Sequence, residues 1–357
     1  MITTCCRVLT AAALACAPSL AIPTSAAGSG PSAPDGWSPR TVLTAPTGWP
    51  VDVEVARDGS MAATWGTPDA IEVAWREPGG AWSAPEQATT GGDRACLGVD
   101  RDGTFYLAWT VEDGKTWKLK EKHTLPTDQW SHAVTVLRHD SPASILDYDV
   151  ASDGSASAAV RMGASTIVKT RSADGAWGSR TRWPYAVNID VALGGRGSAA
   201  AVLTVFRPYA GQPDLGVRIV EVTRQRAGHA WSAPQVLERE RDRSYGPGWP
   251  GSASITVDRA GTSTVAYYGT VPSRPQMGVA TSSARLGGSW SKPRLAIPRM
   301  GSEHPIEVAA ARDRSVLVVA VRSYSIVLSA LRPLGGGWRS PTTVAHQAIR
   351  SFRWARA

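Results

Sequence analysis

Beyond its first sixteen residues the chain holds one cysteine. Cys5, Cys6 and Cys16 crowd the N-terminus, and Cys96 stands alone in the remainder. With the N-terminal stretch read as a removable leader, no intrachain disulfide is left to staple the fold, and Cys96 reads as a small buried hydrophobe. After residue 22 no apolar run is long enough to cross a bilayer as a helix. Nor does any segment sustain an apolar period of 3.6 residues, and 35 Gly and 25 Pro would interrupt a helix that began. The motifs of common catalytic sites are missing as well: there is no Gly-x-Ser-x-Gly elbow, no phosphate loop and no His-Glu-x-x-His pair. The six histidines show no ligand spacing. Those absences exclude the usual signatures of serine hydrolases, nucleotide-binding enzymes and zinc peptidases.

The N-terminus has the pattern of an export signal. Arg7 precedes an Ala/Leu-rich apolar run from Val8 to Ile22, and Ser25 and Ala27 supply small side chains for cleavage after Ala27, with a cut after Ala26 as a second option. A competing reading makes Ala13-Leu14-Ala15-Cys16 a lipid-attachment site at Cys16, although Leu14 sits one place from where that motif needs it. Residues 1–27 are therefore expected as a secretory signal, 28–36 as a linker and 37–357 as one large domain, placed outside the cell with no membrane span. Net charge is +8, falling to about +7 without the leader. That mild excess favours contact with an anionic polymer without demanding it, and its Arg-rich, Lys-poor make-up is the usage of a GC-rich bacterial genome, so it gives little support to nucleic-acid binding. The run Glu238-Arg239-Glu240-Arg241-Asp242-Arg243 alternates in sign and reads as a solvated loop.

What is present is a repeat. A Trp followed by a short extended segment recurs at Trp37, Trp82, Trp130, Trp177, Trp231, Trp290 and Trp338. Between these lie turn signals flanked by alternating strands: Asp58-Gly59, Asp102-Gly103, Asp153-Gly154, Arg196-Gly197, Ala260-Gly261 and Asp313-Arg314. Asp-Gly between alternating runs is a strong hairpin signal. Each unit reads as four strands, in the first Val51 to Ala56, Met61 to Trp65, Ile71 to Arg76 and Trp82 to Ala88. The period and the four-strand unit predict an all-β protein, a β-propeller of six four-stranded blades. An alternative of seven joins the strand from Trp37 to Leu43 and the segment from Ala348 to Ala357 into a further partial blade.

The turn from third to fourth strand resembles a worn form of the Asp-box of bacterial sialidases and related propellers, Ser/Thr-x-Asp-x-Gly-x-x-Trp. Glu77-x-Gly79-x-x-Trp82 keeps the spacing with Glu for Asp, and Ser172-x-Asp174-Gly175-x-Trp177 is one residue short. Gly228, Gly287 and Gly335 each stand three before a Trp. Thr110-Val-Glu112-Asp-Gly114-Lys-Thr-Trp117 is a closer literal match, but it follows a second strand and so falls in the wrong loop. The resemblance implies the sialidase-type fold, with the boxes as scaffold remote from any site. The catalytic set that it implies is not recognised here: the early stretch Thr44 to Pro50 carries no Arg.

Aligning the units on the Asp-Gly turn puts Asp52, Cys96, Asp147, Asp190, Ser254 and Glu307 at one position of the inner strands. Asp52, Asp147, Asp190 and Glu307 could ring one end of the channel, where repulsion would raise pKa values or favour a bound cation; no other cofactor is expected. The alternative is that each carboxylate caps loop amides or pairs with Arg. Before the same strands stand Trp49-Pro50, Trp183-Pro184 with Tyr185, Trp249-Pro250 and His304-Pro305. Aromatic faces beside carboxylates hold sugar rings by stacking and hydrogen bonds, so Trp49, Trp183, Trp249 and His304 join the four acids as candidate ligand-binding residues. Packing between blades is the competing role for the aromatics. Two functions follow: an extracellular module recognising a glycan or cell-surface polymer at the channel mouth, or a glycoside hydrolase or lyase using two of the four acids. A third is a structural propeller without a small ligand.

Overall fold

The computed structural model describes residues 52–67, 69–92, 94–125, 129–163, 165–194, 198–210, 212–226, 229–244, 253–271, 274–300, 305–322 and 326–346. They form six four-stranded antiparallel sheets, each a meander in sequence order, and among them there is no helix. The first blade is β1 (Asp52–Val55), β2 (Met61–Gly66), β3 (Ala70–Arg76) and β4 (Glu86–Thr90). The second is β5 (Arg94–Val99), β6 (Phe105–Asp113), β7 (Thr116–Thr124) and β8 (Val134–His139). The third is β9 (Ala143–Val150), β10 (Ala156–Met162), β11 (Ser165–Arg171) and β12 (Trp177–Pro184). The fourth is β13 (Ala186–Gly194), β14 (Ser198–Tyr209), β15 (Gln212–Gln225) and β16 (Gln235–Ser244). The fifth is β17 (Ala253–Val257), β18 (Thr262–Val271), β19 (Arg274–Arg285) and β20 (Arg294–Pro298), and the sixth β21 (Ile306–Ala310), β22 (Val316–Arg322), β23 (Ile326–Arg332) and β24 (Thr342–His346). The expected six-bladed propeller is therefore the architecture. The two terminal segments considered for a seventh blade lie outside the described residues.

Inner strands of successive blades touch in order, β1 to β5, β5 to β9, β9 to β13, β13 to β17 and β17 to β21. The core lies between blades: one cluster joins the first two (Ile71, Val73, Leu97, Phe105, Leu107, Trp109), and others join the second to fourth, fourth to fifth and fifth to sixth. Burying one such aliphatic or aromatic side chain is worth about 1.5–3 kcal/mol. Small residues set the spacing: a Cβ at Gly98 would stand 2.4 Å from a Val150 methyl, so β5 approaches β9 only because residue 98 has no side chain.

The turns behave as the sequence predicts. Gly59, Gly103, Gly154 and Gly261 adopt positive φ between first and second strands, and Gly79, Gly175, Gly287 and Gly335 do so between third and fourth. Gly114 lies in the connection from β6 to β7, so the literal Asp-box match at Thr110 to Trp117 does occupy the other loop. In the sixth blade Arg314 takes the left-handed position, with φ 66°.

Repetition of Trp-Ser also has a cause. Ser83 donates its N–H to Trp75 O at 2.7 Å while its Oγ accepts the Trp75 N–H at 2.9 Å. Ser131 with His123, Ser232 with Arg224 and Ser291 with Ser283 repeat the same double bond. The hydroxyl thus closes the hairpin one step before the outer strand's own ladder begins, which is why the fourth strand of the first blade starts at Glu86 and not at Trp82. Trp82 makes only an isolated bridge to Arg76.

Two expectations are corrected. Glu238 to Arg243 is not a loop but part of β16, and the alternation of charge along the sequence has the period of a strand. Cys96 is fully buried in β5 as expected, yet it is disulfide-bonded and not an unpaired thiol.

Candidate ligand-binding site

The six aligned inner-strand positions do form one layer, since their ladder partners Thr64, Ala108, Ala159, Val202, Ala266 and Val319 are equivalent residues of the second strands. Their side chains, however, are turned into the boundaries between blades. Asp52 Oδ2 accepts the Leu97 N–H at 2.7 Å, Asp147 Oδ2 the Val191 N–H at 2.5 Å and Asp190 Oδ2 the Ile255 N–H at 2.7 Å. Ser254 Oγ accepts from Val308 N at 3.2 Å and donates to Glu307 Oε2 at 3.3 Å. Asp149 adds a second tie, accepting the Leu193 N–H at 2.7 Å. An inner strand has no ladder partner on its channel side, so its N–H groups there need an acceptor, and the preceding blade supplies one. Asp52, Asp147, Asp190 and Glu307 are all buried. Asp52, Asp147 and Asp190 are ties of the ring, matching the amide-capping alternative, while Glu307 accepts from the Ser254 hydroxyl. Among the described residues no group of three or more His, Cys, Asp or Glu is placed to hold a metal ion.

Trp49, Trp249 and His304 lie outside the described residues. Trp183 is half-buried at the boundary of the third and fourth blades, packed edge-on to Trp231 with ring centroids 5.2 Å apart. Tyr185, in the link from β12 to β13, is 55% exposed with φ 62°, and its carbonyl accepts the Phe206 N–H at 3.2 Å. A non-glycine held in that conformation and turned outward is the described aromatic at the end where inner strands begin.

A polar aromatic cluster that the sequence reading did not single out lies at the boundary of the first two blades. Trp75 on β3 and Trp130, just before β8, stand 5.8 Å apart, and both indole N–H groups donate to Glu86 Oε1, at 2.8 and 3.3 Å. Both hydrogen bonds are at the surface. Beneath them Lys122, from β7, donates to Ala88 O and places its ammonium 4.6 Å from the Trp130 ring centroid and 5.9 Å from that of Trp109. Burial draws the Lys122 ammonium down to about 8, against an opposing pull from Glu86. Phe105 buttresses Trp75 edge-on at 5.3 Å. Its sequence signal was partial: Trp130 is a repeat Trp, but nothing in its hairpin reports that Trp75 and Glu86 of the preceding blade meet it.

Of the other repeat Trp residues, Trp177, Trp231, Trp290 and Trp338 pack at blade boundaries, three of them under a guanidinium: Arg171 over Trp177 at 5.8 Å, Arg224 over Trp290 at 5.4 Å and Arg332 over Trp338 at 5.3 Å; Trp82 packs within its own blade, and Trp37 lies outside the described residues. The described ones are scaffold. What sets the Trp75–Trp130 boundary apart is a surface carboxylate shared by two indoles.

No protein-family model matches the sequence, and no curated protein sequence does. Solved structures share the fold. A lectin from Burkholderia pseudomallei superposes with a TM-score of 0.59 at 12% identity over 84% of this chain and 86% of the lectin. An ulvan lyase bound to its disaccharide unit gives 0.53 at 11% identity over 85% of this chain and 83% of the lyase. At such identities the likeness is one of architecture alone.

Proposed function

We propose that the chain is an exported glycan-recognition propeller that takes a saccharide at the surface boundary of its first two blades. The observation that carries this reading is the convergence of Trp75 and Trp130 on Glu86 Oε1 at the surface. Indole faces stack on the apolar face of a sugar ring, and a carboxylate already accepting at the surface exchanges an indole N–H for a sugar hydroxyl at small cost. The propeller fold, shared with a lectin and a polysaccharide lyase, supports the reading as a scaffold suited to it.

Hydrolysis by a pair from Asp52, Asp147, Asp190 and Glu307 draws no support from their burial and inter-blade bonds. A second binding reading, at the channel mouth, is favoured by the outward Tyr185. Screening the secreted protein on a glycan array separates the two. Trp75→Ala, Trp130→Ala and Glu86→Gln are each expected to weaken binding about tenfold, the equivalent of about 1.4 kcal/mol. Binding that survives these but is lost in Tyr185→Ala, Trp49→Ala or Trp249→Ala moves the site to the mouth. Binding to no glycan rejects both.

A further inference from the structure

The fourth and fifth blades carry the longest strands, and their boundary holds charged and polar groups that neither the ties nor the Trp75–Trp130 cluster uses. On β16, Glu240 pairs with Arg218 Nη1 at 3.3 Å, and that guanidinium also reaches across to Tyr268 O at 3.2 Å. Glu238 lies two residues earlier on the same face. It is half-buried, and its carboxylate, though attracted by Arg218, forms no hydrogen bond or ion-pair contact among the described residues. Tyr267, on β18, is fully buried, and its hydroxyl has no hydrogen-bond partner among the described residues. The two meet over Gly269, where a Cβ would stand 2.9 Å from a Tyr267 ring carbon and 3.4 Å from Glu238 Oε2.

Both groups cost stability as they stand. A half-buried carboxylate that Arg218 attracts without an ion-pair contact and a buried hydroxyl without a partner each destabilise a fold, and Phe in place of Tyr267 would remove the second cost outright. Burial accordingly pushes the Glu238 carboxyl and the Tyr267 phenol upward from their ordinary ranges. A neutral hydroxyl brought to this place would satisfy hydrogen bonds and add nothing to the pull of Arg218 on the carboxylate. A primary ammonium satisfies both, donating one N–H to Glu238 and another to the Tyr267 oxygen while adding a second positive charge to that of Arg218 beside the neighbouring carboxylates Glu238 and Glu240.

We propose that Glu238 and Tyr267 form a second site, at the boundary of the fourth and fifth blades, for a primary-ammonium group such as that of an amino sugar. That the ammonium belongs to a sugar rests on the glycan reading; the ammonium site itself stands on residues remote in sequence from Trp75 and Trp130. The test compares a glucosamine hexamer with its fully N-acetylated counterpart, by calorimetry at physiological ionic strength, alongside thermal unfolding. The free-amine hexamer is expected to bind at least about tenfold more tightly than the acetylated one. Glu238→Gln should abolish that preference. Tyr267→Phe should reduce it several-fold while leaving the melting temperature unchanged or higher, the signature of a hydroxyl kept for binding and not for folding. Equal binding of the two hexamers, binding of neither, or a preference that persists in Glu238→Gln overturns the proposal. An array positive for other glycans alongside any of these leaves the Trp75–Trp130 reading standing.

Discussion

Asp190 Oδ2 accepts the N–H of Ile255 at 2.7 Å, joining the inner strand of the fourth blade to that of the fifth. Equivalent bonds from Asp52 and Asp147 make this a repeated device of the ring, not a local accident. Asp190→Ala strands a buried N–H and is expected to cost about 2–3 kcal/mol. Urea denaturation measures it. A loss below about 0.5 kcal/mol would mean that the bond is not a tie. Glycan binding at the first boundary should be unchanged.

These ties show where the sequence was legible and where it stopped. The Asp-Gly turns and the Trp-Ser hairpins are local, each signalled by a few adjacent residues whose backbone needs are specific, and they sufficed to count the blades. They also aligned Asp52, Asp147, Asp190 and Glu307 correctly. Alternation tells which side of a strand a residue is on, but not whether that side faces the channel or the neighbouring blade, so the sequence left the four acids open between a channel ring and amide capping. The Trp75–Trp130–Glu86 cluster depends on packing between units, which no pattern within a unit reports. At Glu238 to Arg243 the alternation of charge was itself the strand signal, hidden because period two is usually sought in apolar residues.

Arg314 replaces the glycine of the other hairpins at φ 66° and donates from Nε to Asp258 Oδ2 at 3.0 Å, linking the sixth blade to the fifth. Two effects oppose each other there. Arg314→Gly relieves the left-handed strain, about 1 kcal/mol, and loses a partly exposed ion pair of about 0.5–1 kcal/mol. The expected outcome is stability within about 0.5 kcal/mol of the parent. Arg314→Ala keeps the strain and loses the pair, so it should fall below Arg314→Gly in chemical denaturation. The reverse order would remove the strain from the explanation.

Lys122 gives a pH signature. Its ammonium titrates near 8 in the folded protein because burial disfavours the charge, against 10.5 as its ordinary value. Between those values the unfolded chain binds more protons than the folded one, so this residue makes stability rise as pH increases from about 8 toward 10.5. Below pH 8 both states are protonated and the desolvation cost is present in full. Lys122→Met removes that cost and flattens the rise. The measurement is the difference in unfolding free energy between parent and variant from pH 7 to 9.5, which should hold level up to about pH 8 and shrink above it.

The boundary of the second and third blades holds a buried ion pair whose value can be separated from its surroundings. Glu121 and Arg171 are 3% and 6% exposed; Glu121 also accepts the Tyr148 hydroxyl at 2.6 Å, and Arg171 donates to Gly154 O at 2.8 Å and lies 4.4 Å from the Tyr106 ring centroid. Removing the guanidinium alone leaves a buried carboxylate with only a phenol for company, so Arg171→Met should cost about 3–5 kcal/mol. Adding Glu121→Leu removes the orphaned charge and should recover most of the loss, but it strands the Tyr148 hydroxyl. Tyr148→Phe in the same chain removes that last unpaired group, and the triple variant should return close to the parent's stability. Denaturation of the single, double and triple variants tests the sequence. If stability instead falls at each step, the pair is a net source of stability, and its role exceeds the mutual neutralisation of two groups that the blade boundary has taken out of water.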